Sequence, residues 1–378
     1  MGHEITPVRI EALVYRAPIA NPLRTSFGTM RDRPCVIVRV TDRDGSIGWG
    51  EAWCNWPTVA AEYRARLVGE VVAPAMLEET FESPQAAFEA TSRRMEKLTL
   101  QTGDVGPLAQ AVSGIDLAFW DLAARKAGKR LCDLIGDANR TDVPAYASGL
   151  NPDRPEMMAR RRHDEGHRAF KLKIGFGRER DLRNLAALRD ELGDGVAIAV
   201  DANMAFELDE AIAMSEAMAP FDLLWFEEPL RADASNTEWK ELAARSPVRL
   251  AAGENLRGHD LHAAIDSGTL GVIQPDVSKW GGISGNLPVI RAANRAGMVF
   301  CPHWLAGGIG LRASMHLLAA FGGDGLLEYD SNPNPLRERL ADDFLEITDG
   351  RIAIPDAPGI GIEPDLEGID DLAVEKWG

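Results

Sequence analysis

Several things are scarce in this 378-residue chain, and each scarcity closes off a class of protein. There are four cysteines, Cys35, Cys54, Cys132 and Cys301, far apart and without a C-x-x-C pair. That argues against a disulfide framework or a thiolate zinc site, and for a reducing cytoplasm. Basic residues are outnumbered, 41 Lys+Arg against 58 Asp+Glu, for a net charge of −17. Nucleic acid or an anionic membrane needs a basic face, so neither is an expected partner. No apolar run approaches the ~18–20 residues of a membrane span, and the opening MGHEITPVRI has no signal-peptide core. Low-complexity tracts are missing too: 36 Gly and 22 Pro are scattered, as turns would scatter them. What remains is 45% hydrophobic and 26% charged, the make-up of an ordinary folded protein. An acidic cytoplasmic enzyme or small-ligand binder is expected.

From residue 143 onward the chain falls into a regular beat. Strand-like runs are VPAYAS (143–148), AFKLKI (169–174), VAIAVD (196–201), LLWFEE (223–228), RLAAGE (249–254), GVIQPD (271–276), MVFCPH (298–303) and GLLEYD (325–330). By subtraction, their starts lie 26, 27, 27, 26, 22, 27 and 27 residues apart. Helical patterns such as 180–192, 207–219 and 310–321 fill the gaps. Seven strand–helix units and a final strand predict an α/β fold, a (β/α)7β barrel with right-handed crossovers. An open doubly wound sheet would use similar units, but eight near-equal strands fit a barrel better.

The first ~130 residues read differently. Residues 5–17 and 34–53, with a DRDG turn, look like an antiparallel meander, followed by helical patterns at 58–76, 83–98 and 106–128. The expected division is an α+β unit over 1–130, the barrel over 131–335, and a C-terminal segment, 336–378, that returns to pack on the first unit.

Barrel active sites lie at the carboxyl ends of the strands, and here those ends carry charge. Strands three, four and five end in Asp201, Glu227 and Glu254. Three convergent carboxylates would repel one another without a counter-ion. A hard dication resolves this, and Mg²⁺ fits best because it takes few carboxylates and leaves room for substrate. The bland alternative is that strand-end acids cap the following helices, as Glu228 and Asp209 are expected to do. Strand two carries Lys171 and Lys173 on one face. Crowding beside each other and a dication should depress at least one pKa, making a usable base; alternatively one merely pairs with Asp201 or Asp276. Strands six and seven end in Asp276 and His303, where a carboxylate can fix the imidazole tautomer. Strand eight ends in Glu328, expected as a protonated donor with a raised pKa.

The motifs FKLKIG, AVDANM, WFEEPL, AAGENL, QPDVSKWGGISG, CPHWLAGG and LLEYD, in that order, resemble the mandelate racemase branch of the enolase superfamily. The resemblance implies a barrel with an N-terminal capping domain and one Mg²⁺ held by Asp201, Glu227 and Glu254. It implies Lys173 as one acid/base and the His303–Asp276 dyad as the other. Lys171, Glu328 and Asn203 would contact a small carboxylate substrate. Lys279 is read as a loop residue. Phe27, Trp53 and Trp56 in the cap, with Trp304, form an aromatic set expected at the substrate. Dehydration of an acid sugar or hydroxy acid is the favoured reaction, racemisation or epimerisation the alternative, and a non-catalytic metal-binding barrel a third. A homo-oligomer is expected. Walker A, H-E-x-x-H and G-x-S-x-G sequences are absent, and GFG at 175–177 lacks the third glycine of a dinucleotide loop.

Overall fold

The computed structural model describes residues 4–25, 28–136, 140–340 and 346–378. The chain opens with an antiparallel meander, β1 (Pro7–Thr25), β2 (Gly28–Asp42) and β3 (Ile47–Ala52). The turn after Asp42 is closed by Ser46 and by Gly45 at φ 86°. Strands β1 and β2 run further than the sequence pattern suggests. Their ends continue the hairpin, with Leu23 opposite Met30 and Thr25 opposite Gly28, beyond a register shift after Pro18.

Helix α1 (Ala60–Arg66) continues as one π turn and one 3₁₀ turn to Ala75, so the expected 58–76 helix is α-helical only at its start. Helix α2 (Pro84–Thr102) begins where the Ser83 hydroxyl accepts the Ala86 N–H at 3.1 Å, a cap worth about 1 kcal/mol. It stops at Gly103 in the left-handed region. Helix α3 (Val105–Lys126) is buried along most of its length, because it lies between the meander and the rest of the molecule. Helix α4 (Leu131–Ile135) follows.

The beat then appears as strands and helices in strict alternation. In order they are β4 (Asp142–Leu150), α5 (Pro155–Asp164), β5 (Ala169–Lys173), α6 (Arg178–Leu192), β6 (Ala197–Asp201) and α7 (Leu208–Met218). Next come β7 (Phe226–Glu227), α8 (Asn236–Arg245), β8 (Leu250–Ala252), α9 (Gly258–Ser267), β9 (Val272–Ile273) and α10 (Gly282–Arg295). The series ends with β10 (Val299–Phe300), α11 (Gly308–Phe321) and β11 (Leu327–Asp330).

All eight strands are parallel, in the order β10-β9-β8-β7-β6-β5-β4-β11. The ring meets between β10 and β11, where Leu326 N–H reaches Cys301 Sγ at 3.3 Å and Trp304 N–H reaches Glu328 Oε2 at 3.0 Å. This is the (β/α)7β barrel.

A short α12 (Pro335–Glu338) and the hairpin β12 (Ile347–Thr348) and β13 (Arg351–Ala353) come next, β13 pairing antiparallel with β4. Strand β14 (Ala373–Trp377) then pairs antiparallel with β1, completing a sheet ordered β14-β1-β2-β3. Among the described residues no helix is long and apolar enough to cross a membrane.

One layer inside the barrel decides the site. Tyr146, Ala169, Ala199, Trp225, Ala251, Val272 and Cys301, one from each of seven strands or their extensions, pack together as its floor. Tyr146 and Trp225 meet edge to face at 5.4 Å. Side chains on a strand alternate faces, so residues two and four beyond this floor also point inward. That parity delivers Ser148, Lys171, Lys173, Asp201, Glu227, Gln274, Asp276 and His303 to one chamber. Glu254 is the exception, three residues past Ala251. The parity changes at Gly253, φ 157°, packed so closely on Gln274 that a Cβ would stand 2.5 Å from its backbone carbon.

Candidate active site

The chamber is a network of buried charges. Lys171 is fully buried, with Nζ 2.6 Å from Glu227 Oε1, 2.8 Å from Glu328 Oε1 and 3.7 Å from Asp201 Oδ2. Lys173 donates to Asp201 Oδ2 and to Asn203 Oδ1, the latter at 2.9 Å. Glu227 also accepts Trp225 Nε1–H at 2.9 Å and Gln274 Nε2–H at 2.6 Å. Glu254 Oε2 lies 3.0 Å from Lys279 Nζ and 3.3 Å from His303 Nε2. The other imidazole nitrogen, Nδ1, is 2.8 Å from Asp276 Oδ2. Asp276 Oδ1 in turn accepts the N–H groups of Ser278, at 2.9 Å, and Lys279, at 3.1 Å.

Glu328 accepts the Ser148 hydroxyl and the Trp304 N–H. Backbone strain gathers here as well: Asn203 (φ 45°), Met204 (φ 63°) and Glu228 (φ 41°) hold positive φ without being glycine. A cavity of about 720 Å³ opens beside these residues, lined by Asn203, Met204, Arg231 and Asn255 among others.

The expected charge state of Glu328 is corrected. The lysines are expected to be lowered beside each other and a dication; among the protein's own charges alone, neither is pushed down. Burial does oppose the ammonium form, but the Glu227 and Glu328 charges hold Lys171 well above its ordinary value, and Asp201 raises Lys173. Nor is Glu328 a protonated donor. Burial would raise its carboxyl, but Lys171 and His303 outweigh it and hold it down at about 2. His303 follows the same logic: burial disfavours the imidazolium, and Glu254, Glu328 and Asp276 raise it to about 10.

Other residues stand apart from their expected places. Glu228 caps no helix; it is buried and accepts Asn255 Nδ2–H at 2.8 Å. Lys279 sits in a loop, but its ammonium reaches Glu254 and Asn255 Oδ1 (2.6 Å) and lies 4.7 Å from the centre of the Trp53 ring. The Trp304 indole, expected on the substrate, is buried against Gly310 with Nε1–H on Gly307 O at 2.8 Å. What it offers the chamber is its backbone N–H. Phe27 lies outside the described residues. Ser148, Trp225 and Gln274 were missed, although the parity that places the lysines also places them.

Among the described residues no three acidic, histidine or cysteine groups stand ready as a metal cage, because Lys171, Lys173, Lys279 and His303 engage the carboxylates. The donor chemistry nevertheless fits a hard dication. Six carboxyls, of Asp201, Glu227, Glu228, Asp276 and Glu328, all buried, and of the partly buried Glu254, face those four cationic groups, an excess of two acids (6 − 4 = 2). The strain falls on Glu227, pushed up to about 7 by burial and by the neighbouring Asp201 and Glu328 charges, and on Glu228, raised well above its usual value. One dication held by Asp201, Glu227 and Glu254 would balance that excess.

Residues 9–136 match the profile of the mandelate racemase / muconate lactonizing enzyme N-terminal domain, and residues 155–368 that of the enolase C-terminal domain-like family. The chain belongs to the enolase superfamily, in its mandelate racemase branch. A mandelate racemase/muconate lactonizing enzyme structure from Bordetella bronchiseptica is similar at 46% identity and TM-score 0.92, covering 98% of this chain and 100% of that one. The D-galactarolactone cycloisomerase of Agrobacterium fabrum is 31% identical over 98% of both chains. A variant of L-talarate/galactarate dehydratase, crystallised with magnesium and L-glucarate, is 26% identical with TM-score 0.85, over 100% of this chain and 93% of that one. As a member of this superfamily, the protein is an enzyme with lyase or isomerase activity.

Proposed function

We propose that the enzyme removes the proton α to the carboxylate of an acid sugar or hydroxy acid and expels the β-hydroxide, releasing a 2-keto acid. The observation that carries this reading is that Lys173 and His303 reach the carboxylate cluster from different strands. Lys173 approaches at Asp201 and His303 at Glu254. A substrate carboxylate lying over Asp201, Glu227 and Glu254 would present its α carbon between them.

Asp201, Glu227 and Glu254 would hold Mg²⁺, which would supply positive charge beside the substrate carboxylate; Asp201 would then be shared between the ion and Lys173. Lys171, buried and held protonated, adds a fixed cation where negative charge develops. With Asp201 engaged by the ion, Lys173 would lose the carboxylate that holds it protonated, and as the free amine would take the α proton on Nζ as the C–H bond breaks. The His303 imidazolium, oriented by Asp276, protonates the departing β-hydroxide as the C–O bond breaks, and water leaves. The enol left behind gains a proton at C3 as its hydroxyl gives one up, and becomes the 2-keto acid. The dehydratase relative and the acid-sugar names of the other relatives support this substrate class.

The same two groups on separate strands also support a second reading, epimerisation, in which one removes the proton and the other returns it to the opposite face. Incubation with aldonates and hexarates, L-glucarate included, in deuterium oxide with Mg²⁺ decides between them. A 2-keto acid product means dehydration; deuterium at C2 without loss of water means epimerisation. Neither outcome with any acid tested would refute both.

A further inference from the structure

The Asp276–His303 dyad does not sit on strands in the way the lysines do. Strands β9 and β10 have two residues each, and both side chains lie in the segments beyond them. Those segments are held from outside the barrel, by three residues at and just beyond the end of β3, Glu51, Trp53 and Asn55. Glu51, fully buried, accepts the Gly307 N–H at 2.6 Å and the Gly310 N–H at 3.0 Å. Asn55 Nδ2–H donates to Leu305 O at 2.5 Å. Trp53 N–H donates to Ser278 O at 3.2 Å, and the Ser278 hydroxyl is itself on Asp276 Oδ1 at 3.2 Å. One short run of the cap therefore grips both segments that carry the dyad.

The Glu51 contact is built to be close. A Cβ on Gly307 would stand 2.7 Å from Glu51 Oε1 and 2.9 Å from Cys35 Sγ, so only glycine admits the carboxyl there. From that point contacts run back to His303 through its chain neighbour. The Trp304 indole is fixed at Gly307 O and packed on Gly310, and its N–H is fixed on Glu328.

We infer that Glu51 is a positioning residue for the Asp276–His303 dyad: it seats the cap on the first turn of α11 and thereby fixes the segment that aims the imidazole. The inference rests on the proposed acid/base role of His303. It makes that side of the chamber dependent on a seated cap, while Lys173, inside the β5 ladder, is placed by the barrel alone. Asp121 supplies the contrast. It is equally buried and also docks cap against neighbour, accepting Ile360 N–H at 2.8 Å, Trp49 N–H at 2.9 Å and Arg125 Nε–H at 2.7 Å. None of those partners is in either dyad segment. A residue that merely holds the cap on would behave as Asp121 does.

The test reads histidine ring resonances in the ¹⁵N-labelled full-length protein, with those of His303 identified by their loss in His303→Asn. His167, buried beside Tyr329 at 5.6 Å, serves as internal reference. Glu51→Ala is expected to displace the His303 ring nitrogen and ring proton signals. Glu51→Gln, which keeps one acceptor oxygen, should displace them less, and Asp121→Asn should leave them at their wild-type positions. His303 signals unmoved in Glu51→Gln, and in Glu51→Ala if it folds, would overturn the inference, as would equal displacement by Asp121→Asn. Wild-type proton exchange at C2 of the aldonates and hexarates, L-glucarate included, is scored separately. Its absence with all of them counts against the acid/base reading, while displaced His303 signals would still establish the positioning contact.

Discussion

The two flanks of the chamber are built by different means. On one flank Lys171 and Lys173 belong to a five-residue strand paired on both sides, and Lys173 stands in register with Asp201 and Asp201 with Glu227. On the other flank Asp276 and His303 lie past the ends of two-residue strands, where loop hydrogen bonds and the cap take over. A cation placed by the sheet has the rigidity of the sheet. An imidazole placed by loops takes its geometry from whatever clamps the loops. On the proposed reading, one acid/base is placed by the barrel and the other is placed by the cap as well.

The comparison breaks most severely when one flank is deleted. Lys173→Ala and His303→Asn should each lose turnover of the active acid by roughly 10²–10⁴-fold or more, measured as kcat. Near-wild-type turnover in either variant would remove that flank from the chemistry. Next comes the junction between the flanks. Asp201→Asn and Glu254→Gln should abolish both activity and the rise in melting temperature on adding Mg²⁺, since each removes a charge from one site. Undiminished stabilisation in both variants would mean that other residues hold the ion.

A smaller effect is expected at Lys279. Its ammonium competes for Glu254, so Lys279→Ala should lower the Mg²⁺ concentration for half-maximal stabilisation, by about tenfold if roughly 1.4 kcal/mol of competition is relieved. A higher requirement would show that Lys279 instead supports the ligand carboxylate.

A further effect, outside the chemistry, is on stability. Burial pushes the Glu51 carboxyl up to about 7, against the pull of the Gly310 and Gly307 N–H groups. A raised acid binds its proton more tightly in the folded chain. The stability it contributes is therefore full below its unfolded value near 4.5 and is lost as pH rises through about 7. The stability advantage of wild type over Glu51→Gln, from denaturant melts, should shrink by on the order of 3 kcal/mol between pH 4.5 and 8. An advantage that stays constant or grows with pH would contradict this.

How far the sequence reaches follows the same division. The strand starts recur every 26 or 27 residues at most steps, and strand side chains alternate faces. Those two regularities were enough to bring Lys171, Lys173, Asp201, Glu227, Asp276 and His303 to one end of one barrel. Glu254 reaches the chamber through a parity change at Gly253, which spacing alone does not reveal.

Charge state was not legible, because it depends on distances. The lysines are expected to fall in pKa beside each other and a dication; among the protein's own charges, Glu227, Glu328 and Asp201 hold them up instead. Glu328 was expected protonated among acids, yet it lies against Lys171. Lys279 and Glu51 escaped for a related reason. Their partners are close only because loops and a separate sheet bring them there, and no local pattern encodes a contact between residues 51 and 307.

The central claim is that Lys173 and His303 serve opposite faces of one substrate carbon. The most direct measurement is solvent deuterium exchange at C2 of an active acid by Lys173→Ala and His303→Asn, followed by NMR with Mg²⁺ present. The account predicts that both variants fail to complete the reaction while at least one still exchanges the proton of a single stereoisomer. Exchange lost in both would contradict it, leaving one of these residues a role in binding only.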